Sequence, residues 1–311
     1  MLRIAERLNA PVVTSIQGKG SVRDSHPNTL GSPWRRGNAV DELVRQSDAL
    51  LVIGSRLGVQ ATQRFTFPVP EKLVRIDIDP EEMTRNATPA IGIEADARHA
   101  AGLLADALSA QDSASVWNSE QFEVARTEAR KTALGAARMP YLDAIRSAIP
   151  AEGIIAWDMT MMSYVATYSF PVERPRTFLF PTGHGTLGFS VPAAIGAKIG
   201  VGDRPVAAVV GDGGFQFTMQ EVATAIQFEL GIPIIIFNDS TYSAVKEEQQ
   251  SSRGGRFAAV DLVNPDYVKL ADAYSIPGVR ANSPDQLRAV ITDALGRNVP
   301  TIIDVPIEKW V

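Results

Sequence analysis

The stretch GDGGFQFTMQEVATAIQFELGIPIIIFNDS, from Gly211 to Ser240, sets an acidic residue among glycines at one end and a second beside an asparagine at the other. The apolar run PVAAVV ends at Gly211 and IPIIIF ends at Asn238, so Asp212 and Asp239 both emerge at the carboxyl ends of expected strands. That is where open parallel sheets bind ligands. If the two strands are neighbours, the two carboxylates converge on one hard cation. Carboxylates, a backbone carbonyl and phosphate oxygens are the donors that suit Mg²⁺. Gly213 and Gly214 let backbone N–H groups approach a phosphate, with the start of the following helix assisting. Asp is common wherever a strand ends in a turn, so neither aspartate alone would mean much; the glycines, the spacing and the flanking segments together favour a cation and phosphate site.

These residues need a scaffold, and the hydrophobic pattern supplies one. In the first third, PVVTS (Pro11 to Ser15), ALLVIGS (Ala49 to Ser55), LVRIDID (Leu73 to Asp79) and IGIEAD (Ile91 to Asp96) read as strands buried on both faces. GNAVDELVRQS and DARHAAGLLADALSA have helical spacing. The stretch 111–138 is polar and rich in Ala, Ser and charge, which predicts a helical linker. A second series follows, with strands at Gly153 to Asp158, Arg176 to Phe180, Pro205 to Asp212, Ile232 to Asp239 and Pro300 to Val305. Its helices are SVPAAIGAKIG, TMQEVATAIQFEL, NPDYVKLADAY and SPDQLRAVITDAL, and Lys246 to Asp261 reads as a mobile loop. The fold class is therefore α/β: two doubly wound parallel-sheet domains, over 1–110 and 139–311, joined by a helical linker over 111–138. The chain opens on the helical segment LRIAERLN, whereas such a sheet normally opens on a strand, so an upstream strand is expected.

Bulk properties narrow the function. With 311 residues, 45% hydrophobic and 21% charged, the composition is that of a two-domain globular chain. A net charge of -5, without a basic stretch interleaved with aromatics, argues against nucleic acid as a partner. Cysteine is absent, which removes thiolate chemistry, cysteine metal sites and disulfides. The apolar runs are too short for a membrane span, and the opening residues have no signal-peptide pattern. A cytoplasmic location is the expectation. No well-placed G-x-G-x-x-G supports a nicotinamide-binding protein.

The opening stretch resembles the diphosphate-binding motif of thiamine diphosphate enzymes, which begins GDG and ends near NN. The resemblance is to the acetolactate synthase and benzoylformate decarboxylase group. GTLGFSVPAAIGAKIG (Gly185 to Gly200) is similar to that group's segment beneath the thiazolium ring, and LVRIDIDPEEM and APVVTSIQGKGSV to its central domain. The resemblance implies Asp212, Asp239 and the Thr241 carbonyl as Mg²⁺ ligands, with Asp239 standing where relatives often carry Asn. It implies Gly213, Gly214, Tyr242, Ser243 and Thr160 as diphosphate contacts, Leu187 as the apolar wedge that keeps the cofactor bent, and the Gly185 carbonyl as acceptor for its amino group. The implied activity is decarboxylation or carboligation of a 2-oxo acid. The activating glutamate of the family lies on a pyrimidine-binding domain, which is expected as a partner in trans within a homo- or hetero-oligomer; the isolated chain is then expected to be inactive. Glu221 follows the glycines but takes no catalytic role in this reading. FAD is not expected, because LGVQATQR follows Arg56 in place of the subgroup's arginine and acidic residues. Glu248 stands where acetolactate synthases carry a tryptophan, which weakens that particular assignment. The alternatives are an acetolactate synthase large-subunit-like fragment and a cofactor-binding remnant without catalysis. His184 reads as a turn residue, and Glu247 and Glu248 as a solvated helix face.

Overall fold

The structure is a computed structural model that describes residues 1–32, 37, 39–67, 69–110, 117–131 and 135–310. Residues 111–116 and 132–134 of the predicted linker, and Asn38 of the segment before the first strand, lie outside the described residues. The chain divides into two compact units, Met1–Ala133 and Leu134–Val311. Both are α/β.

In the first unit three parallel strands, β1 (Ala49–Ile53), β2 (Lys72–Asp77) and β3 (Ile91–Glu94), lie in the order β1-β2-β3. The expectation of strands buried on both faces holds for most of β2, where Leu73, Arg75, Ile76 and Asp77 are buried, and fails for its neighbours. All four β3 residues are exposed, and β1 buries only Val52 completely. Pro11 to Ser15 is not a strand either: it makes one parallel bridge, Val12 to Thr29, before the chain turns away. The helix Ser119–Lys131, inside the stretch 111–138, buries Phe122 and Ala125 against Leu30, Val40, Leu43 and Val44.

The second unit has six parallel strands: β4 (Ile154–Trp157), β5 (Phe178–Leu179), β6 (Val206–Gly211), β7 (Pro233–Asn238), β8 (Gly278–Arg280) and β9 (Thr301–Pro306). Their order is β5-β4-β6-β7-β9-β8. The chain runs outward from β4 to β5, then returns to β6 on the other side of β4, so the sheet reverses between β4 and β6. Every residue of β4 and β6 is buried, as their unbroken apolar runs require of strands covered on both faces. Ile154, Ala208, Ile234 and Ile302 join one core with the helices Ser190–Val201, Val222–Gln227 and Tyr267–Ala273. Trp157, at the end of β4, packs against Phe170 and Phe178.

Three expected elements differ in this unit. The glycines lie in a helix Asp212–Thr218, and Thr218 to Leu230, expected as one helix, forms a single turn of 3₁₀ helix (Met219–Glu221) and a short helix Val222–Gln227. Lys246 to Asp261 is not all loop, since the helix Ser243–Ser252 fills its first part. The three-residue β8 had no counterpart in the sequence reading. Among the described residues, no helix is long and apolar enough to cross a membrane.

Candidate active site

The sheet reversal decides where a ligand goes. Chains that leave β4 and β6 in opposite directions open a crevice beyond their carboxyl ends. Three neighbouring strands each deliver an aspartate there: Asp158 after β4, Asp212 after β6 and Asp239 after β7. β6 and β7 are adjacent, with Gly211 opposite Phe237.

Asp212 is 3% exposed. Its Oδ1 accepts from its neighbour's backbone, Gly213 N, at 2.9 Å, and its Oδ2 accepts from Asn264 Nδ2 at 2.6 Å. Burial pushes this carboxyl above its usual range, and the Asp239 charge adds to the shift. Asp239 is 9% exposed and is raised by burial as well. Thr241 N donates to its Oδ1 at 3.2 Å and the Ser243 hydroxyl donates to its Oδ2. Ser240 takes a left-handed φ of 55° in the turn between Asp239 and Thr241, a conformation that is uncommon and mildly strained for a residue with a side chain.

One cavity of about 210 Å³ gathers every site residue expected from the sequence. Asp212, Asp239 and Thr241 line it, as do Gly213, Gly214, Tyr242, Ser243 and Thr160. Gly185 and Leu187 reach it from the loop before the helix Ser190–Val201. Gly213 serves packing directly: a Cβ there would lie 2.3 Å from Tyr242 Cε1, so only glycine lets the Tyr242 ring close over this turn. Gly188, at φ 80°, needs both its left-handed backbone and its missing side chain, because a Cβ would meet Thr218 Cγ2 at 2.9 Å.

Sequence reasoning missed two kinds of residue. Asp158 is fully buried and ties the loop to β4: its Oδ1 accepts from Gly188 N at 3.0 Å and its Oδ2 from Ser190 N at 2.8 Å. Desolvation raises its pKa, partly offset by those N–H donors. An apolar wall was missed too, formed by Met159, Met161, Tyr164, Phe237, Ile307 and Trp310. The Arg138 guanidinium lies 4.1 Å from the Trp310 ring centre and steadies that ring. His184, Glu247 and Glu248 are exposed, and neither they nor Glu221 line the cavity.

The donor set fits a hard cation bound to an anionic ligand. Two buried carboxylates face one cavity, and among the described residues neither forms an ion pair with Lys or Arg. Among those residues no group of three or more His, Cys, Asp and Glu side chains is assembled for a metal. A cation here would draw its remaining ligands from carbonyl, water or ligand oxygens, which suits Mg²⁺.

Two regions of the chain match known protein families. Residues 158–305 match the sequence profile of the thiamine pyrophosphate enzyme C-terminal TPP binding domain, and residues 1–104 match that of the thiamine pyrophosphate enzyme central domain. A "Probable 2-ketoarginine decarboxylase" of Pseudomonas aeruginosa is 32% identical over 314 residues, covering 97% of this chain and 54% of the relative. A "Probable acetolactate synthase large subunit" of Methanocaldococcus jannaschii is 32% identical over 99% of this chain and 54% of its own length. Acetolactate synthase isozyme 3 large subunit of Escherichia coli is 28% identical, over 97% and 55%. The chain thus spans about half the length of the curated relatives it matches. With the residues that line the cavity, all but Ile307 and Trp310, falling within the match over 158–305, this chain belongs to the thiamine pyrophosphate (thiamine diphosphate) enzymes, of which it carries a central and a C-terminal TPP-binding domain.

Proposed function

We propose that the chain binds thiamine diphosphate through Mg²⁺ and serves the decarboxylation or carboligation of a 2-oxo acid. The observation that carries this reading is the pair of buried carboxylates at the ends of β6 and β7, lining the same cavity as the residues that resemble the family's diphosphate motif. Asp212, Asp239 and the Thr241 carbonyl would hold the cation. Backbone N–H groups of Gly213 and Gly214, with Tyr242, Ser243 and Thr160, would hold the diphosphate. Leu187 would be the apolar residue packed against the ring system, and the Gly185 carbonyl would accept from its amino group.

When bound, thiamine diphosphate supplies the electron sink for the carbon–carbon bond that breaks or forms. The chain's own residues would bind and orient it, and the apolar wall from Met159 to Trp310 would keep water from that side of the cavity. Among the described residues that line the cavity there is no glutamate. Its volume of about 210 Å³ also falls below the ~300–1,000 Å³ of typical small-molecule sites. The small volume supports a site completed by a further domain, and in this reading that is a pyrimidine-binding domain in trans that carries the activating glutamate. The relatives' names, a probable 2-ketoarginine decarboxylase and a probable acetolactate synthase large subunit, support the substrate class.

The test is CO₂ release from a panel of 2-oxo acids with thiamine diphosphate and Mg²⁺. The 311-residue chain alone is expected to be inactive, because loss of general acid–base assistance costs about 10²–10⁴-fold in rate. Adding a separately produced pyrimidine-binding domain is expected to restore turnover. Robust turnover by the chain alone would contradict the division of labour and make Glu221 the next residue to replace.

A further inference from the structure

Asp212 is gripped twice by one short segment that does not line the cavity. Asn264 Nδ2 donates to the Asp212 carboxylate at 2.6 Å, and three residues on, the buried Tyr267 hydroxyl donates to the Asp212 carbonyl at 3.2 Å. Tyr267 is itself fixed edge-on against Phe215, with ring centres 5.7 Å apart.

The direction of the Asn264 amide is set by a chain of donors and acceptors that begins outside the cavity lining. Arg280 Nε donates to Asp304 Oδ2 at 2.9 Å, which keeps that buried group an acceptor. Asp304 Oδ1 therefore takes Asn238 Nδ2, at 3.1 Å, and the Asn238 carbonyl oxygen turns toward Asn264. Asn264 meets it with its NH₂ at 2.9 Å and offers the same nitrogen to Asp212, while its own oxygen accepts from Gln216 Nε2 at 2.9 Å. A flip of the Asn264 amide would set oxygen against Asp212 Oδ2 and Asn238 Oδ1, and NH₂ against NH₂ at Gln216. Each contact would lose its partner. Asn264 is thus locked as a donor to Asp212. It fixes one carboxylate oxygen, favours the ionised form and leaves the remaining lone pairs for the cavity.

We infer that Asn264 is a positioning residue for the cation ligand Asp212, held in register by the Asp304–Asn238 relay. The inference rests on the reading of Asp212 as a cation ligand, and it concerns a group that would touch neither cation nor cofactor.

The test is the Mn²⁺ dissociation constant with saturating thiamine diphosphate, read by electron paramagnetic resonance, beside the thermal midpoint of each variant without metal. Asn264→Ala is expected to weaken Mn²⁺ about 10–100-fold, the usual effect of removing a group that orients a metal ligand. Asn264→Ser, whose hydroxyl is too short to bridge the same partners, is expected to act likewise and serves if the alanine variant fails to fold. A variant that lowers the thermal midpoint but keeps the wild-type Mn²⁺ constant would overturn the inference while leaving Asp212 in place. Absence of Mn²⁺ binding by the wild-type chain would overturn both.

Discussion

Both units end parallel strands in aspartates, yet the two sets of aspartates do different work. In the first unit Asp77 closes β2, and its Oδ1 accepts from Asp79 N at 3.2 Å; Asp79 in turn caps the short helix Pro80–Met83 by accepting from Glu81 N at 2.9 Å. Arg75, on the same strand, is fully enclosed and donates to the carbonyls of Ser55, Met83, Arg85 and Ala87. These polar groups satisfy the backbone of loops. In the second unit Asp212 and Asp239 are buried beside each other against a cavity, and the Asp239 charge raises the Asp212 carboxyl. An acid at a strand end becomes a candidate ligand only when burial and a second carboxylate leave it needing a cation. Spacing alone does not separate RIDID from GDGG.

Replacement at the paired positions tests that contrast most severely. Asp212→Ala is expected to weaken Mg²⁺-dependent cofactor binding by more than ~100-fold, beyond the usual loss from an outer-shell change. Asp77→Ala is expected to leave it unchanged and to cost only about 1–3 kcal/mol of stability. Equal effects on cofactor affinity would erase the distinction between the units. Next in size is Leu187→Ala, expected to slow turnover of the completed enzyme about 10²-fold by loosening the cofactor's pose, with affinity nearly intact. A variant that loses affinity yet keeps its turnover per bound cofactor would contradict the wedge role. Asp239→Asn keeps a ligand oxygen, so a loss of about 10-fold is expected by titration of Mg²⁺.

Asp158 sharpens the comparison through stability. In Asp158→Asn the new NH₂ faces the Ser190 N–H, or in the other rotamer the Gly188 N–H, leaving a donor unpaired at a cost of about 1–3 kcal/mol. Unfolding midpoints in denaturant check this. The pH dependence has a definite sign. Burial raises Asp158, Asp212 and Asp239 in the folded chain, so folding penalises their charged forms. Their contribution is most favourable below the unfolded carboxyl range of about 3.9 and is lost as pH rises through the raised folded values. A cation competes with those protons at the paired site. The rise in thermal midpoint on adding Mg²⁺ with thiamine diphosphate is therefore expected to be larger at pH 7 than at pH 5, and a rise that shrinks toward pH 7 would contradict it.

The contiguous part of this site was legible because local chemistry wrote it. Strand ends, glycines and the second aspartate fall within Gly211 to Ser240, and the loop residues Gly185 and Leu187 carry a recognisable segment. Asp158 and Asn264 left no such mark. Asp158 meets its partners 30 and 32 residues away, and Asn264 reaches Asp212 across 52, so only the sheet order brings them together. The same limit applies to Trp310, which enters the wall only once β9 has been laid beside β7. In the fold, β8 was too short to show a period, although Gly278 carries a trace of it: a Cβ there would lie 2.6 Å from Ala271 Cβ. The helix Ser243–Ser252 buries only Ser243 and so lacks the apolar stripe that betrays a helix. The strands of the first unit were expected to be buried because apolar runs imply cover on both faces, and Ile91 and Ile93 in β3 are exposed here.

The central claim is that Asp212 and Asp239 bind the cofactor through a shared cation. Calorimetric titration of the wild-type chain with thiamine diphosphate, in Mg²⁺ and again after its removal with a chelator, tests this most directly. Weak but measurable binding is expected in Mg²⁺ and none without it, because two buried carboxylates facing a bare diphosphate repel it. Equal affinity in the presence and absence of the cation would contradict the account.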